Sequence, residues 1–227
     1  MHWHSRIIEH GPIALPPFSA TRILMMPFDL ADVSASLPPS LKAWIPLLVS
    51  MRECSLVRDG IAYVTIDERE VPTGVSHRRP GLHVDGWRDD IGAGIWGGAT
   101  WGGGAGMFVA TNRLGSRAWD QAFHGEPSQF GDCEHLRAQC LDDAERPLWP
   151  NRVYWLGSLT VHESLPVDKP MRRQFIRLSL PSRGAWPISC TPNPLGVQPP
   201  HGTCQARPAA FTNYVTTDVP GLAGAGP

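Results

Sequence analysis

A histidine and an aspartate lie two residues apart in the stretch Pro80-Gly81-Leu82-His83-Val84-Asp85-Gly86-Trp87. Residues two apart in a strand point to the same face, so His83 and Asp85 are predicted to project together, away from Leu82 and Val84. An imidazole and a carboxylate side by side supply two of the three ligands of an iron site built from two histidines and one carboxylate. The stretch therefore predicts a metal site that needs one more ligand from elsewhere in the chain.

The best candidate for the third ligand is His162, which lies 162 − 83 = 79 residues downstream. It ends an apolar run that begins at Leu159 and predicts a short strand. A second pair with the same spacing, His124-Gly125-Glu126, is set among residues that predict a loop, with no strand to hold both side chains on one face. The first pair and His162 are therefore the preferred ligand set.

A strand predicted from 173 to 180 places Arg173, Phe175, Arg177 and Ser179 on one face. A guanidinium binds a carboxylate through two parallel hydrogen bonds, and a hydroxyl two residues away can add a third. Arg177 and Ser179 are therefore predicted to bind a carboxylate. Arg173 is the alternative, because it shares the same face.

In chain order, His83-Val84-Asp85, His162 and Arg177-Leu178-Ser179 resemble the motifs of the iron(II)- and 2-oxoglutarate-dependent oxygenases. The resemblance runs from roughly residue 63 to residue 180, about half of the chain. It implies a mainly β fold with a double-stranded β-helix (jelly-roll, cupin-like) core, a few packed helices, and the metal inside the mouth of the barrel.

The same resemblance implies that His83, Asp85 and His162 hold Fe(II) as a cofactor. The co-substrate 2-oxoglutarate would chelate the iron, with its distal carboxylate on Arg177 and Ser179 or on Arg173, and O2 would take the last position. The implied activity is a dioxygenase that hydroxylates or otherwise oxidises a small organic or amino-acid-like substrate while 2-oxoglutarate is converted to succinate.

Two other interpretations of the same residues remain open. In a cupin-like barrel enzyme the histidines would bind a metal without 2-oxoglutarate, and Arg177 would be structural. In a non-catalytic β-sandwich binding module the spacing of the histidines and the aspartate would be accidental. Metal content distinguishes the binding module from the two metal enzymes. Dependence on 2-oxoglutarate distinguishes the cupin-like enzyme from the oxygenase.

The composition and charge of the chain limit the classes of partner that the protein is expected to bind. The 227-residue chain has a formal net charge of −1, which provides no basic field for a phosphate backbone, so a nucleic-acid partner is not expected and a small-molecule substrate is. No apolar run approaches the length of a membrane span, so no membrane is expected. Five cysteines, with no CxxC pair and no signal peptide, predict reduced thiols and a cytoplasmic location.

The 23 glycines and 23 prolines favour many short strands and turns. We predict one jelly-roll domain over 1–182, in which 1–60 form a helical or extended support and 61–182 the barrel. A Pro/Gly-rich extension over 183–227 is predicted to be extended or partly disordered. The individual elements predicted are strands at 22–26, 61–71, 107–111, 152–156, 159–162 and 173–180, helices at 40–49 and 134–145, and a glycine-rich loop or hairpin at 92–106.

The sequence says less about the substrate pocket. Near-neutral charge and abundant tryptophan favour a small or amphipathic organic molecule. The candidate pocket residues, chosen by position, are Tyr63, Trp87, Trp101, Asn112 and Arg113, and a structural role is the simpler interpretation for each of them.

Overall fold

The computed structural model describes residues 1–85, 105–128, 131–181, 186–187, 190–200 and 203–204. The fold is mainly β, with antiparallel sheets and a few short helices, as the sequence predicted at this coarser level. Residues 92–104 of the glycine-rich stretch, together with Trp87 and Trp101, lie outside the described residues.

The secondary structure is built from short strands. The helices are α1 (Val33–Ser36) and α2 (Ile45–Glu53), with 3-10 helices at Pro39–Trp44, Glu134–Gln139 and Asp142–Ala144. The strands, in chain order, are β1 (His2–Ser5), β2 (Ile7–Pro12), β3 (Arg22–Asp29), β4 (Ile61–Val71), β5 (Met107–Thr111), β6 (Ser116–Trp119), β7 (Gln121–His124), β8 (Glu145–Pro147), β9 (Arg152–Leu156), β10 (His162–Ser164), β11 (Met171–Ser179), β12 (Trp186–Pro187) and β13 (Thr203–Cys204).

The largest sheet has six antiparallel strands in the order β2-β9-β5-β11-β4-β3. Its centre is β11, which pairs over its full length with β4 and over five residues with β5. Strands from the first 60 residues, β2 and β3, form the two edges of this sheet. The N-terminal segment therefore contributes strands to the core sheet as well as the helices that cover it.

The two faces of this sheet differ in character because apolar and polar residues alternate along β4. Ala62, Val64 and Ile66 point to the outer face, where they pack with α1, α2 and the intervening 3-10 helix in the largest hydrophobic cluster. Thr65 and Asp67 point to the inner face together with the residues of β11 opposite them. The outer face of β4 therefore packs in the largest apolar core, and its inner face carries polar groups.

A smaller sheet, β10-β6-β8, lies over the inner face. An isolated bridge between His83 and His162 adds the segment 82–85 to its β10 edge. Apolar side chains fill the space between the sheets, among them Met107, Val109, Ala118 and Leu156. The outer surface of the smaller sheet carries another cluster around Trp119 and Phe123, to which β1 contributes by pairing with β7. The site described below lies between the two sheets.

Several predicted elements are confirmed, and others need correction. Strands at 61–71, 107–111 and 152–156 have the predicted bounds, and α2 begins one residue before Pro46. The predicted helix at 134–145 is wrong, because the segment forms two short 3-10 helices. The predicted strand at 159–162 is also wrong: β10 begins only at His162. Residues 82–85 are held by two isolated bridges at His83, to His162 and to Asp132, and not by a strand.

Part of the predicted extension packs against the domain. The backbone N–H of Thr191 donates to the Leu24 carbonyl at 2.8 Å, and the Leu24 N–H donates to Thr191 Oγ1 at 2.9 Å. The Asn193 side chain donates to the carbonyls of Pro27 and Ser36. Residues 190–200 therefore line β3. Within the described part of the chain, none of the helices has the length and apolar character needed to cross a bilayer.

Gly131 supports the segment that carries His83 and Asp85. Its φ of +74° is left-handed, its carbonyl accepts from the Val84 N–H at 2.8 Å, and a Cβ at this position would overlap the Val84 carbonyl oxygen. Gly74 has a similar φ of +76° but open space around its Cβ position.

We predict that Gly74→Ala lowers the free energy of unfolding by about 1–2 kcal/mol, the cost of a left-handed alanine. Gly131→Ala should lower it further and also weaken metal binding, because the Val84 backbone must move. Chemical denaturation and metal titration of both variants measure this. Equal metal affinity in the two variants would contradict the role given to Gly131.

Candidate metal centre

His83, Asp85 and His162 come together between the sheets. One ligand atom from each lies within 4.8 Å of the others. The Nε2 atom of His162 lies 3.8 Å from Asp85 Oδ2, and the two imidazole rings are 4.3 Å apart between centroids at an angle of 54°. Two imidazole nitrogens and one carboxylate oxygen at this separation are a donor set that non-haem iron takes. The arrangement can therefore bind a metal ion.

The backbone holds the two histidines opposite each other. The His83 N–H donates to the His162 carbonyl, and the His162 N–H donates to the His83 carbonyl, both at 3.0 Å. This is the closed pair of bonds of an antiparallel ladder, in which directly opposite side chains lie on the same face. The other side of the segment is fixed by bonds from Val84 N–H to Gly131 and from Cys133 N–H to Leu82.

Each imidazole is oriented by a backbone carbonyl. Nδ1 of His83 lies 2.8 Å from the Gly81 carbonyl oxygen, and Nδ1 of His162 lies 2.8 Å from the Thr160 carbonyl oxygen. A carbonyl oxygen only accepts hydrogen bonds, so Nδ1 carries the proton in both rings. The lone pair is then on Nε2, the atom that faces Asp85 in His162. Such outer hydrogen bonds are the usual means of orienting metal-binding histidines.

The electrostatics keep the three groups in the protonation states that metal binding requires. Burial lowers the pKa of His83 well below its usual value, and the adjacent His162 lowers it further. Burial also lowers the pKa of His162. Burial would raise the pKa of Asp85, but the Arg177 guanidinium and then the two histidines hold it well below its usual range. Two neutral imidazoles thus face an ionised carboxylate at neutral pH.

Arg177 contacts the candidate metal ligand directly. Its Nη1 donates to Asp85 Oδ2 at 2.9 Å, and its Nη2 lies 3.0 Å from the sulfur of Met25. Ser179 Oγ lies 3.8 Å from the same sulfur, so Arg177 and Ser179 share a face as predicted. Met25 reaches this position through a register shift in β3, where it adopts a φ of +48°.

Charged residues support β10 from its other face. Glu163 is buried and accepts from Arg117 at 2.7 Å and from Arg137 at 2.8 Å. Glu134, bound to Arg137, also accepts from the Leu82 N–H at 3.1 Å. This network joins β10, β6 and the 3-10 helix Glu134–Gln139 to the segment before His83. It therefore restrains both histidine-bearing segments from outside the site.

Further along the inner face lies a polar group that we call the Asp67 cluster, formed by Arg22, Asp67, Arg69, His77 and Arg78. The Asp67 carboxylate is buried and lies 3.0 Å from Arg78, 3.2 Å from Arg22, 3.4 Å from His77 Nε2 and 3.6 Å from Arg69. Burial would raise the pKa of Asp67, but the imidazole and the arginines hold it well below its usual range. The Arg78 guanidinium also lies over the Phe175 ring, 4.7 Å from its centroid.

Arg173 lies beside this cluster and is fully buried, at 0% exposure. Its Nη2 is 3.4 Å from the Thr111 hydroxyl and 3.3 Å from the Arg113 carbonyl. Within the described ranges, its Nε and Nη1 have no hydrogen-bond partner. Burial, then the nearby Arg69, lowers the pKa of Arg173 to about 10, so the guanidinium remains charged at pH 7.

The other candidate residues from the sequence do not join the group of His83, Asp85 and His162. His124 ends β7 instead of lying in a loop, but its side chain and that of Glu126 are exposed, and His124 packs against His2. Tyr63 is fully buried on the inner face, where burial raises its pKa to about 12. Asn112 bonds to the backbone of β11, and the Arg113 side chain is exposed.

Sequence reasoning missed three residues near the site: Met25, Asp67 and His77. The alternation of Thr65 and Asp67 with Val64 and Ile66 in β4 was a usable signal for polar groups on the inner face. No sequence signal marks Met25, because the shift in β3 depends on its pairing with β4. His77 precedes two arginines in a turn-rich segment and has no pattern of its own.

Comparison with known proteins adds no family to this description. A scan against protein-family models finds no match, and a search of curated proteins finds no significant similarity. The conclusions below therefore rest on the residues and their geometry.

Metal binding tests the centre directly. Loss of an outer hydrogen bond to a ligand typically costs about 10–100-fold in metal affinity, so loss of a ligand should cost at least about 100-fold. We expect His83→Ala and His162→Ala each to reduce Fe(II) affinity by this amount in anaerobic calorimetry. His124→Ala, an exposed histidine, is the matched control, and a comparable loss in that variant would overturn the choice of ligands.

Proposed function

We propose that this protein is a non-haem Fe(II)- and 2-oxoglutarate-dependent dioxygenase that oxidises a small organic substrate. The observation that carries the proposal is the convergence of His83, Asp85 and His162 with an arginine-bearing strand on the opposite sheet. A β-sandwich module with accidental spacing gives no reason for these three side chains to meet. Convergence of residues separated by 79 positions therefore favours a metal enzyme.

The strand order also supports the double-stranded β-helix that the sequence resemblance implied. Four strands of the large sheet, β4-β11-β5-β9, face the segment 82–85 followed by β10-β6-β8. The chain alternates between these two sets from β4 to 82–85, β5 and β6, stays in the smaller set from β6 to β8, and alternates again through β9, β10 and β11. This order of two facing antiparallel sets supports the jelly roll that we propose.

In the proposed reaction, each protein group has a defined task. The Nε2 atoms of His83 and His162 and the carboxylate of Asp85 would hold Fe(II). The bound iron would supply the activation of O2 that couples oxidative decarboxylation of 2-oxoglutarate to oxidation of the substrate. The apolar side chains between the sheets would exclude water from the reacting groups.

Of the two arginines on the inner face of β11, Arg173 is the better supported group for the distal carboxylate of 2-oxoglutarate. A buried guanidinium whose donors lack partners is costly, and a carboxylate would satisfy it. Arg173 has two such donor nitrogens among the described residues, and its Nη2 is oriented by Thr111. Arg177, the first choice from the sequence with Ser179, already binds Asp85. We assign Arg177 the task of orienting that carboxylate.

One observation favours the cupin-like alternative, a metal enzyme that does not use 2-oxoglutarate. In that alternative Arg177 has a structural role, and the ion pair of Arg177 with Asp85 is consistent with such a role. The two functions differ in whether 2-oxoglutarate binds to the metal-loaded protein.

Anaerobic titration of the Fe(II) protein with 2-oxoglutarate should produce the visible charge-transfer band of an iron–2-oxo-acid chelate. Each charge-assisted hydrogen bond contributes about 1.5–3 kcal/mol, so Arg173→Ala should weaken 2-oxoglutarate binding by about 100-fold while Fe(II) still binds. Arg172→Ala, on the exposed face of the same strand, is the control.

The contrasting results are equally specific. A larger loss in Arg177→Ala than in Arg173→Ala would return the carboxylate to Arg177 and Ser179. Fe(II) binding with no band at any concentration of 2-oxoglutarate would support the cupin-like enzyme instead.

A further inference from the structure

His77 is a buried histidine that the metal centre does not use. Its side chain is 0% exposed. Nε2 faces Asp67 Oδ2 at 3.4 Å, whereas Nδ1 makes no hydrogen bond to a described residue. Buried polar atoms are paired in the great majority of cases, and an unpaired one indicates a ligand, an ion or a catalytic task. His77 is six residues before His83, outside direct contact with the proposed metal ligands.

The groups around His77 come from three elements. Asp67 and Arg69 project from β4, and the Arg69 guanidinium donates to the backbone carbonyl of His77. Arg78 is on the same segment. From β11, Phe175 lies edge-on with its ring centre 6.5 Å from that of His77, and the charge of Arg173 also acts on the imidazole. Arg173 is two residues from Phe175 on the same face of β11 and is paired opposite Arg69, so His77 lies on the same face of the sheet as the arginine proposed to bind 2-oxoglutarate.

These surroundings keep the imidazole neutral when no ligand is bound. Burial, followed by the charges of Arg173 and Arg78, lowers the pKa of His77 to about 4, although Asp67 acts in the opposite direction. An anion placed between Arg173 and His77 would raise that pKa, because it offsets the arginine charge and accepts a hydrogen bond from the protonated ring. Ligand binding and protonation would then favour each other.

We propose that His77 is a second binding residue for the distal carboxylate of 2-oxoglutarate and takes up one proton from solvent when the carboxylate binds. The protonated ring would donate from Nδ1 to the carboxylate and from Nε2 to Asp67. The same proton returns to solvent when 2-oxoglutarate leaves, so the step changes no covalent bond other than this N–H. The proposal rests on the function proposed above.

The sign of the pH dependence follows from this coupling. Between the pKa of the unliganded imidazole and its higher pKa in the complex, binding consumes a proton. The affinity for 2-oxoglutarate should therefore fall as the pH rises, by up to about tenfold per pH unit for one linked proton. Above the higher pKa the affinity should become independent of this group.

Calorimetry measures both quantities without turnover. Protein loaded with redox-inert Zn(II) is titrated with 2-oxoglutarate from pH 6 to pH 8, in two buffers of different ionisation enthalpy at each pH. The difference between the buffers gives the protons taken up. The wild-type protein should take up as much as one proton, and its affinity should fall with pH.

Two variants separate His77 from other titrating groups. His77→Asn keeps a donor near Nδ1 and His77→Gln keeps one near Nε2, but neither titrates. Both should bind 2-oxoglutarate with an affinity that no longer depends on pH in this window and with no proton uptake. His124→Asn, the exposed control, should behave as the wild-type protein does.

The outcomes distinguish the two proposals. If the wild-type protein binds 2-oxoglutarate without proton uptake, or if a folded His77 variant retains the uptake, the role of His77 is wrong and the dioxygenase proposal stands. If 2-oxoglutarate does not bind to the metal-loaded wild-type protein at all, both proposals are overturned.

Discussion

The site depends on two backbone hydrogen bonds, those that His83 and His162 exchange with each other. They close a small antiparallel ladder between segments that are far apart in the sequence, and they place two imidazoles on one face. Each ring is then turned by a carbonyl from its own segment, Gly81 for His83 and Thr160 for His162. Without the two backbone hydrogen bonds, the ring hydrogen bonds would still orient each imidazole, but the two imidazoles would not be held next to each other.

The large sheet has a different role, because it places charged side chains in a buried space. Its outer face is apolar and packs against the helices, and this burial stabilises a sheet whose inner face carries charged groups on β4 and β11. Arg173 and Arg177 are four residues apart on one strand but have different environments. Arg177 has an acidic partner in Asp85, whereas Arg173 is buried beside other arginines. This contrast is the physical basis for giving the two arginines different tasks.

The sequence could predict that His83 and Asp85 project together, because their spacing carries the information. His83 and Asp85 are two apart in extended backbone, and the residues between and before them are apolar and buried. The strand containing Arg177 and Ser179 was also predicted, at 173–180, and the structure has it as β11, Met171–Ser179. Asn151, in the turn before β9, has a left-handed φ of +57°, a conformation that asparagine accepts.

Other features depend on contacts that no local pattern encodes. The segment from 116 to 150 was expected to contain one helix, yet β6, β7 and β8 form there because β10 and β1 offer them edges. Met25 contacts Arg177 only because β3 shifts register against β4. The Asp67 cluster combines β3, β4 and the turn at 77–78, so its composition could not be seen from any one of them.

The most direct test of the account is an anaerobic crystal structure of the protein with Fe(II) and 2-oxoglutarate. We expect a single iron bound by Nε2 of His83, Nε2 of His162 and the carboxylate of Asp85, with the distal carboxylate of 2-oxoglutarate at Arg173. Iron bound elsewhere, with the two imidazoles and Asp85 free of metal, would contradict the central claim that these three residues form the metal centre.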